Sequence, residues 1–150
     1  MKLVIQRVSQ ASVRINGEVH ARINKGLLLF IGIEEKDDTN DADYLASKCV
    51  SMRIFEDQEK KMNLSLTDIS GDLLIVSQFT LHASTKKGNR PSFMKAAKPE
   101  AAIPLYEYFI DKMKSSINRK IKTGIFGAYM EIDLINDGPV TILMDSKNRE

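Results

Sequence analysis

The sequence predicts an α/β (α+β) protein that is mostly strand and carries two main helices. Four strand-like segments fall within the first 33 residues. Helical periodicity then appears twice, once after Asp38 and once after Pro99, and two further strand-like segments close the chain. Because no linker, repeat or low-complexity tract interrupts this series, we expect residues 1–150 to form a single domain.

Composition and charge are those of an ordinary globular protein, with 43% hydrophobic and 28% charged residues. No apolar run reaches the roughly 18 residues of a membrane span, so no membrane association is expected. The first apolar run ends at Gln6, too early for a signal peptide. A single cysteine excludes an internal disulfide framework, and together these features predict a cytoplasmic protein.

The opening segments are predicted to be strands joined by tight turns. Leu3–Val8 and Val13–Ile15 are interpreted as two strands, and Glu18–Ile23 as a third. Asn16-Gly17 is typical of a two-residue hairpin turn, because both residues tolerate positive φ. The apolar run Leu27–Ile33 predicts a buried strand.

A helix follows, with Asp38 or Thr39 placed to cap its start. Its apolar face carries Ala42, Leu45, Ala46, Cys49 and Val50. Cys49 is therefore expected inside, where a free thiol usually acts as a small apolar side chain; a nucleophilic role is left open. Met52–Phe55 is a possible short strand before a charged loop.

Leu73–Leu81 is predicted to be the central strand of the molecule. Its apolar first half suits a strand buried on both faces, and its second half turns polar. Strand alternation would place Ser77 and Phe79 on one face, and Gln78 and Thr80 on the other. The polar residues either simply end the strand or line a site at its mouth.

The segment from Leu73 to Pro99 contains basic residues but no acidic one, although the net charge of the chain is only +2. The basic residues are Lys86, Lys87, Arg90, Lys95 and Lys98, mostly in a predicted loop from His82 to Ala97. Separated charge of this kind can steer a polyanion to one face, although solvated loop lysines are the simpler interpretation.

The C-terminal third is predicted to contain a helix and two strands. Pro99 can open the helix, whereas Pro104 should kink it or delay its start. The strands are Met130–Ile135 and Val140–Met144, with a turn between them. Sequence physics leaves open whether the Gly138-Pro139 bond in that turn is cis or trans.

Standard catalytic patterns are mostly absent from this sequence. It has no phosphate-binding glycine loop, no pair of metal-spaced cysteines and no helix with two ligands at i and i+4, so neither metal nor cofactor is expected. His20 is expected at the surface. His82 could act as a base for Thr80 or Ser77, although neighbours in an extended chain diverge.

Six motifs give the chain a resemblance to the D-aminoacyl-tRNA deacylase family over essentially its whole length. They are Gln6-Arg7-Val8, Arg53-Ile54-Phe55, Lys61-Met62-Asn63, Ser77-Gln78-Phe79-Thr80-Leu81, Gly88-Asn89-Arg90-Pro91-Ser92-Phe93 and Asn136-Asp137-Gly138-Pro139-Val140-Thr141. The Ser-Gln-Phe-Thr and Gly-Pro elements are the two signature motifs of that family. Both are intact here and in order.

The resemblance implies a three-layer α/β/β subunit of mostly antiparallel strands, in a homodimer with active sites at the interface. It implies aminoacylated tRNA as partner, and hydrolysis of the ester that joins a D-amino acid, or misloaded glycine, to the terminal ribose. In the family the Gly-Pro bond is cis and enters the pocket of the other subunit. Gly138 and Pro139 would thus hold the α-amino group and leave no room for an L side chain.

The resemblance also assigns roles around the scissile ester, where the pocket residues would be Ser77, Gln78, Phe79 and Thr80. It implies substrate-assisted hydrolysis, in which the ribose 2′-hydroxyl helps to activate water. Backbone N–H groups near Phe79 and Thr80 would stabilise the oxyanion. Thr80 would then be a positioning group rather than a nucleophile.

The resemblance implies three further roles. Arg7 would support the Gly-Pro loop, and Phe126 and Met130 would wall the pocket. The tRNA acceptor end would contact Lys86, Lys87 and Arg90. Two other function classes remain open: a non-catalytic tRNA-binding module, and an esterase with a Thr or Ser nucleophile, for which the sequence offers no assured base.

Overall fold

The computed structural model describes residues 1–149. Its strands and helices, in chain order, are β1 (Lys2–Ile15), β2 (Glu18–Ile23), β3 (Gly26–Gly32), α1 (Thr39–Ser51), β4 (Phe55–Glu56), β5 (Met62–Leu64), β6 (Asp72–Ser77), α2 (Pro99–Ser116), β7 (Ile121–Thr123) and β8 (Glu131–Asp145). A short 3₁₀ helix, Phe79–His82, lies between β6 and α2. The predicted α/β class, mostly strand with two main helices, is confirmed.

Six of the strands form one sheet in the order β2-β1-β3-β6-β7, with β8 paired to the other edge of β1. β1 is antiparallel to β2, β3 and β8, whereas β3, β6 and β7 are mutually parallel neighbours. β4 and β5 form a separate antiparallel pair. Antiparallel pairing thus predominates, as expected.

The two strands predicted at the N-terminus are one strand. β1 continues through residues 9–12, where Ala11 pairs with Ile23 on one side and Leu134 on the other. The sequence pattern breaks there because the pairing with β8 shifts register on both sides of Val8. Such β-bulges interrupt the alternation of side chains without ending the strand.

The predicted strand-turn-strand at the C-terminus is likewise one strand, β8, with a bulge in its middle. Gln6 pairs with Thr141 and Val8 with Asn136, so residues 137–140 lie opposite Arg7 alone. The Gly138–Pro139 peptide bond within this bulge is cis. A bulge is one of the few places in a strand where proline is tolerated. We call residues 137–140 the Gly-Pro bulge.

Apolar side chains pack on both faces of the sheet. Helices α1 and α2 cover one face and contact each other. The core cluster on this face includes five buried strand residues, Leu3, Ile5, Leu29, Leu73 and Ile75. The opposite face holds a second cluster, formed by Val8, Val13, Ile23, Leu28, Leu74 and Val76. There β2 contacts β6 and β7, so the sheet folds over itself. The result is a helical layer on two β layers.

Local signals set the start of α1. The Asp38 carboxylate accepts hydrogen bonds from the N–H groups of Asn40 at 2.9 Å and Asp41 at 3.2 Å, and the Asp41 carboxylate accepts one from Asp38 N–H. This reciprocal capping box satisfies donors that the first turn leaves unpaired. Cys49 is fully buried, and burial raises the pKa of its thiol to about 12, which excludes a thiolate nucleophile.

Pro104 does not delay the start of α2, which was one of the two effects expected from the sequence. The helix begins at Pro99 and continues to Ser116. Pro104 lies on the exposed face, where the carbonyl that its missing N–H would have bonded can face water. No helix within residues 1–149 is both long and apolar enough to cross a membrane.

Candidate active site

Strand β6, predicted to be central, lies between β3 and the edge strand β7, and it ends at Ser77, four residues before the predicted end at Leu81. Gln78 N–H still donates to the Ile31 carbonyl of β3 at 2.8 Å, and the chain then enters the 3₁₀ helix. Gly32 permits this close turn, since a Cβ there would lie 2.9 Å from Leu81 Cβ. The predicted strand alternation of Phe79 and Thr80 is therefore wrong, because both residues are helical.

Two neighbouring backbone donors are free where this 3₁₀ helix begins. The N–H groups of Phe79 and Thr80 have no acceptor among residues 1–149, as is usual for the first donors of a helix. The next donor, Leu81 N–H, is already bonded to the Gln78 carbonyl at 3.2 Å. A pair of free donors of this kind can stabilise the negative oxygen formed during hydrolysis of an ester.

A cleft of about 490 Å³ opens beside these donors. Its lining includes Ser77, Gln78 and Phe79 after β6, Ala102 and Tyr106 on α2, and Phe126 and Met130 before β8. The rings of Tyr106 and Phe126 lie 5.6 Å apart and make an aromatic wall. Five of the predicted site residues therefore meet in one cleft: Ser77, Gln78, Phe79, Phe126 and Met130.

Tyr106 belongs to this cleft, although the sequence did not indicate it as a site residue. It is 5% exposed, and its hydroxyl donates to the Ile75 carbonyl at 3.3 Å. Burial raises the pKa of this phenol to about 12, so it stays protonated at neutral pH. The one available signal was a polar hydroxyl within an otherwise apolar helical stripe.

Neither candidate nucleophile has a base. Thr80 Oγ1 accepts a hydrogen bond from Gln78 Nε2 at 2.5 Å, and Thr80 lies outside the lining of the cleft. Among residues 1–149, no carboxylate or imidazole hydrogen-bonds the hydroxyl of Ser77 or Thr80. His82 points its Nδ1 toward Glu34 Oε2, 3.8 Å away. The arrangement disfavours a serine or threonine nucleophile, which needs an adjacent base.

Arg7 braces the Gly-Pro bulge from the inside. This arginine is 4% exposed, and it donates from Nε to the Asp137 carbonyl at 2.8 Å and from Nη1 to the Ile54 carbonyl at 2.6 Å. Gly138 has φ +143°, and a Cβ there would lie 3.1 Å from Arg7 Nη2. Backbone conformation and close approach therefore both require glycine at this position.

Asn136 closes the same bulge across its base. Its side-chain oxygen accepts a hydrogen bond from Val140 N–H at 2.7 Å, and its amide donates to the Val140 carbonyl at 3.2 Å. Gly138 and Pro139 themselves are exposed, and they do not line the cleft of their own chain. A single chain therefore keeps the two signature motifs apart.

The predicted tRNA-binding residues Lys86, Lys87 and Arg90 lie exposed on one loop. Two backbone hydrogen bonds between Ser84 and Ser92, of 2.8 and 2.9 Å, close the base of this loop. Beyond it, the Phe93 ring meets the Phe79 ring edge-on with centroids 5.1 Å apart. The basic loop is therefore connected to the rim of the cleft.

Fold and site together describe a small α/β domain with an apolar cleft beside two free backbone donors and, among residues 1–149, no serine or threonine of the site paired with a base. A family model described as D-Tyr-tRNA(Tyr) deacylase matches residues 4–145. Relatives named D-aminoacyl-tRNA deacylase are 58% identical in Flavobacterium psychrophilum and 60% identical in Cytophaga hutchinsonii. Each alignment spans 150 residues and covers 100% of both chains.

Two solved structures share the fold. One, named c-Myc DNA Unwinding Element Binding Protein, has a TM-score of 0.92 and 38% identity, and the match covers 97% of this chain and 98% of that one. The other, a probable eukaryotic D-amino acid tRNA deacylase, has a TM-score of 0.80 over 95% and 97% of the two chains. At 18% identity that match supports the fold alone.

The chain belongs to the D-Tyr-tRNA(Tyr) deacylase family. The resemblance inferred from the sequence motifs is therefore confirmed. The prediction that the protein is an enzyme, a hydrolase of the D-aminoacyl-tRNA deacylase class, is confirmed by the same matches. Among residues 1–149 there is no group of three or more His, Cys, Asp or Glu side chains that could hold a metal ion.

Proposed function

We propose that residues 1–150 act as one deacylase domain, which hydrolyses the ester of D-aminoacyl-tRNA and also removes glycine misloaded on tRNA. The observation that carries this proposal is the pair of free N–H groups at Phe79 and Thr80 beside an apolar cleft. Oxyanion stabilisation suits acyl-ester chemistry, and family membership supports the substrate class. Since aminoacyl-tRNA is used in the cytoplasm, we propose that compartment too.

In the proposed reaction, a water molecule adds to the ester carbonyl carbon. The ribose 2′-hydroxyl relays the proton: as it accepts one from the attacking water, it gives its own to the ribose 3′-oxygen, and the two N–H groups stabilise the oxyanion formed from the ester carbonyl. The tetrahedral intermediate then expels the protonated 3′-oxygen as the ribose 3′-hydroxyl, and the free amino acid leaves. An ester needs less activation than an amide, so positioning and oxyanion stabilisation can suffice.

Selectivity against L-amino acids is proposed to require a second copy of the chain. The Gly-Pro bulge of one protomer would enter the cleft of its partner, where Gly138 and Pro139 would hold the α-amino group and exclude an L side chain. Support comes from the exposure of both residues and from the bracing by Arg7. On the same strand, Ile135 and Leu143 are 53% and 76% exposed, which favours a covering partner.

The tRNA acceptor end is proposed to contact Lys86, Lys87 and Arg90. None of the three forms an ion pair within residues 1–149, so their charge is available to phosphates. Thr80 is proposed to position the ester through its bond with Gln78, and Phe126 and Met130 to wall the cleft.

The decisive assay pairs D-Tyr-tRNA with L-Tyr-tRNA and follows release of the amino acid. We expect the D ester to be cleaved roughly 100-fold or more faster, because a rigid wall rejects the other hand sterically. Equal survival of both esters would refute the proposed deacylase activity. A D-Tyr-tRNA that lacks the terminal 2′-hydroxyl tests the mechanism, and efficient cleavage of it would exclude substrate assistance.

The competing functions predict different results in the same experiment. A non-catalytic nucleic-acid-binding module, as the name of the 38% identical structure suggests for that protein, would bind D- and L-aminoacyl-tRNA alike and cleave neither. An esterase with a Thr80 or Ser77 nucleophile would form a covalent acyl-enzyme. Mass spectrometry of the quenched reaction detects that species directly.

A further inference from the structure

A second cleft, of about 550 Å³, lies at the other end of the 3₁₀ helix. We call it the lysine cleft, and its charged and ionisable lining consists of Lys2, Glu34, His82, Lys86, Lys95, Asp145 and Lys147. Phe79, at the start of the 3₁₀ helix, lines the candidate active site, whereas His82, at its end, lines the lysine cleft. At about 2 Å of rise per residue, the backbones of Phe79 and His82 lie roughly 6 Å apart along this helix.

Of the four lysines in this cleft, two are paired with a carboxylate and two have no carboxylate partner among residues 1–149. Lys2 lies 3.9 Å from the Asp145 carboxylate, and Lys147 donates to Asp41 at 2.7 Å. Lys86 and Lys95 have no such partner among residues 1–149. The opposing charges in the lining are Asp145, beside Lys2, and Glu34, whose carboxylate lies 3.8 Å from the imidazole of His82. Four lysines against two carboxylates leave the cleft positive, and Glu34 limits that potential.

The backbone next to both uncompensated lysines is fixed. Near Lys86, Ser84 and Ser92 exchange two backbone hydrogen bonds. Near Lys95, Ala97 N–H donates to the Ile33 carbonyl at 2.9 Å, and Ala96 forms a β-bridge with Glu34. Because the backbone is already ordered, less entropy is lost when these lysines bind a ligand.

The lining of the cleft also includes other polar side chains. His82 is 4% exposed, and its Nε2 is the one buried side-chain nitrogen or oxygen without a hydrogen-bond partner in the described chain. Ser84 and Thr85 add hydroxyl-bearing side chains to the lining. Unpartnered buried polar atoms are rare in proteins, and this one belongs to a residue that lines the lysine cleft. Lysines, hydroxyls and an imidazole are suited to phosphate.

We propose that the lysine cleft binds a backbone phosphate of the tRNA acceptor end while the terminal nucleoside occupies the active site. This inference rests on the proposed function and refines it. It adds Lys95 to the RNA contacts, and it separates Lys86, inside the cleft, from Lys87 and Arg90, which do not line it. The 3₁₀ helix then links phosphate binding at one end to ester positioning at the other.

The test compares a Lys86→Ala/Lys95→Ala double variant with wild type on two substrates, D-Tyr-tRNA and the D-tyrosyl ester of adenosine, which has no phosphate. We expect the KM for D-Tyr-tRNA to rise about tenfold with kcat nearly unchanged, and the salt dependence of binding to flatten by about 1.5 in log–log slope. Kinetics on the adenosine ester should not change. Glu34→Gln should have the opposite effect and lower the KM for tRNA.

The matched control is Lys48→Ala/Lys114→Ala, which removes two exposed helix lysines far in sequence from the basic loop. Equal tRNA kinetics in the cleft variant and this control would overturn the proposal. So would an equal loss on the adenosine ester, because that substrate has no phosphate to lose. A Glu34→Gln variant that weakens tRNA binding would also contradict it.

The cleft can be tested even if the proposed function fails. If wild-type protein hydrolyses neither substrate, binding of uncharged tRNA across a salt series still reports on phosphate contacts. A flatter slope in the double variant than in the control supports the cleft, and identical slopes overturn it.

Discussion

The end of β6 and the Gly-Pro bulge of β8 both interrupt a strand, but the two segments differ in packing and exposure. At the end of β6, the turn is packed against β3 through Gly32, and its side chains line a cleft within one chain. The bulge of β8 is rigidly held by Arg7 and Asn136, but its apex is exposed. One interruption lines a pocket, and the other leaves its backbone exposed on the single chain.

The largest effect is expected from Gly138→Ala, which tests whether the apex of the bulge must keep its shape. The new Cβ would lie 2.7 Å from Val140 Cγ2, at φ +143°, so the apex must move. A shift of about 1 Å at a positioning group can cost roughly 100-fold in rate, and we expect such a loss of kcat/KM for D-Tyr-tRNA. Steady-state kinetics measure it.

The control for this variant is Gly17→Ala in the β1–β2 hairpin. Gly17 also has positive φ, but nothing lies within 4 Å of the added Cβ. Thermal unfolding should show a similar backbone penalty of about 1 kcal/mol for Gly17→Ala with full activity. Wild-type kinetics in Gly138→Ala would show that the bulge is not part of the site.

A smaller loss is expected from Arg7→Lys, which tests the bracing beneath the bulge. Lysine keeps the charge but cannot donate to the carbonyls of Asp137 and Ile54 with the fixed fork of a guanidinium. We expect a loss of about 2 kcal/mol in the free energy of unfolding and roughly 30-fold in kcat/KM. Urea denaturation and D-Tyr-tRNA kinetics measure the two losses.

Arg14→Lys is the matched control on the same strand. Arg14 is partly exposed and bonds the Asp133 carboxylate at 2.9 Å, so its replacement should cost less than about 0.5 kcal/mol. If both lysine variants behave alike, the buried arginine has no special role in holding the bulge.

Thr80→Ala tests whether the residue after β6 positions the ester or acts as a nucleophile. Because Thr80 bonds Gln78 and has no base, its loss should remove a positioning hydrogen bond of about 1–1.5 kcal/mol, which corresponds to roughly a tenfold fall in kcat. Complete inactivity, or an acyl-enzyme in wild type that the variant cannot form, would restore the nucleophile hypothesis. Quenched-flow mass spectrometry distinguishes these outcomes.

The smallest effect is expected from Tyr106→Phe, on the wall of the cleft. The hydroxyl makes one long bond, to the Ile75 carbonyl at 3.3 Å, so we expect a loss of about 0.5–1 kcal/mol in stability and kcat/KM within about threefold of wild type. Since the pKa of this phenol is about 12, the pH–rate profile should not change below pH 10.

Tyr108→Phe is the control on the same helix, where the lost bond is to the Asp43 carboxylate at 3.0 Å. A much larger kinetic loss in Tyr106→Phe than in this control, without a matching stability loss, would place the Tyr106 hydroxyl in the reaction.

Much of the local structure was predictable because short-range interactions decide it. The hairpin at Asn16-Gly17 forms with φ +53° and +82°, as the dipeptide indicates. Asp38 caps α1 through hydrogen bonds that span two and three residues. The site motifs were also visible, since Ser77, Gln78 and Phe79 lie at the cleft where a strand turned polar.

The errors all arose where distant parts of the chain meet. β1 and β8 each continue through a predicted break because they pair with each other along nearly their full lengths. β6 stops at Ser77 because the chain must turn over Gly32, a residue of another strand. Pro104 is tolerated because α2 turns that face to solvent. No local pattern contains this information.

The sequence by itself determined the α/β class, the caps and turns, and membership of the deacylase family. These depend on residue type and spacing within a few positions, or on motifs kept in order along the chain. Only the tertiary structure decided that the two signature motifs stand apart in one chain, one in a cleft and the other at an exposed bulge. The physical reason is that strand pairing and packing between distant residues, rather than local propensity, set where backbone donors and side chains finally meet.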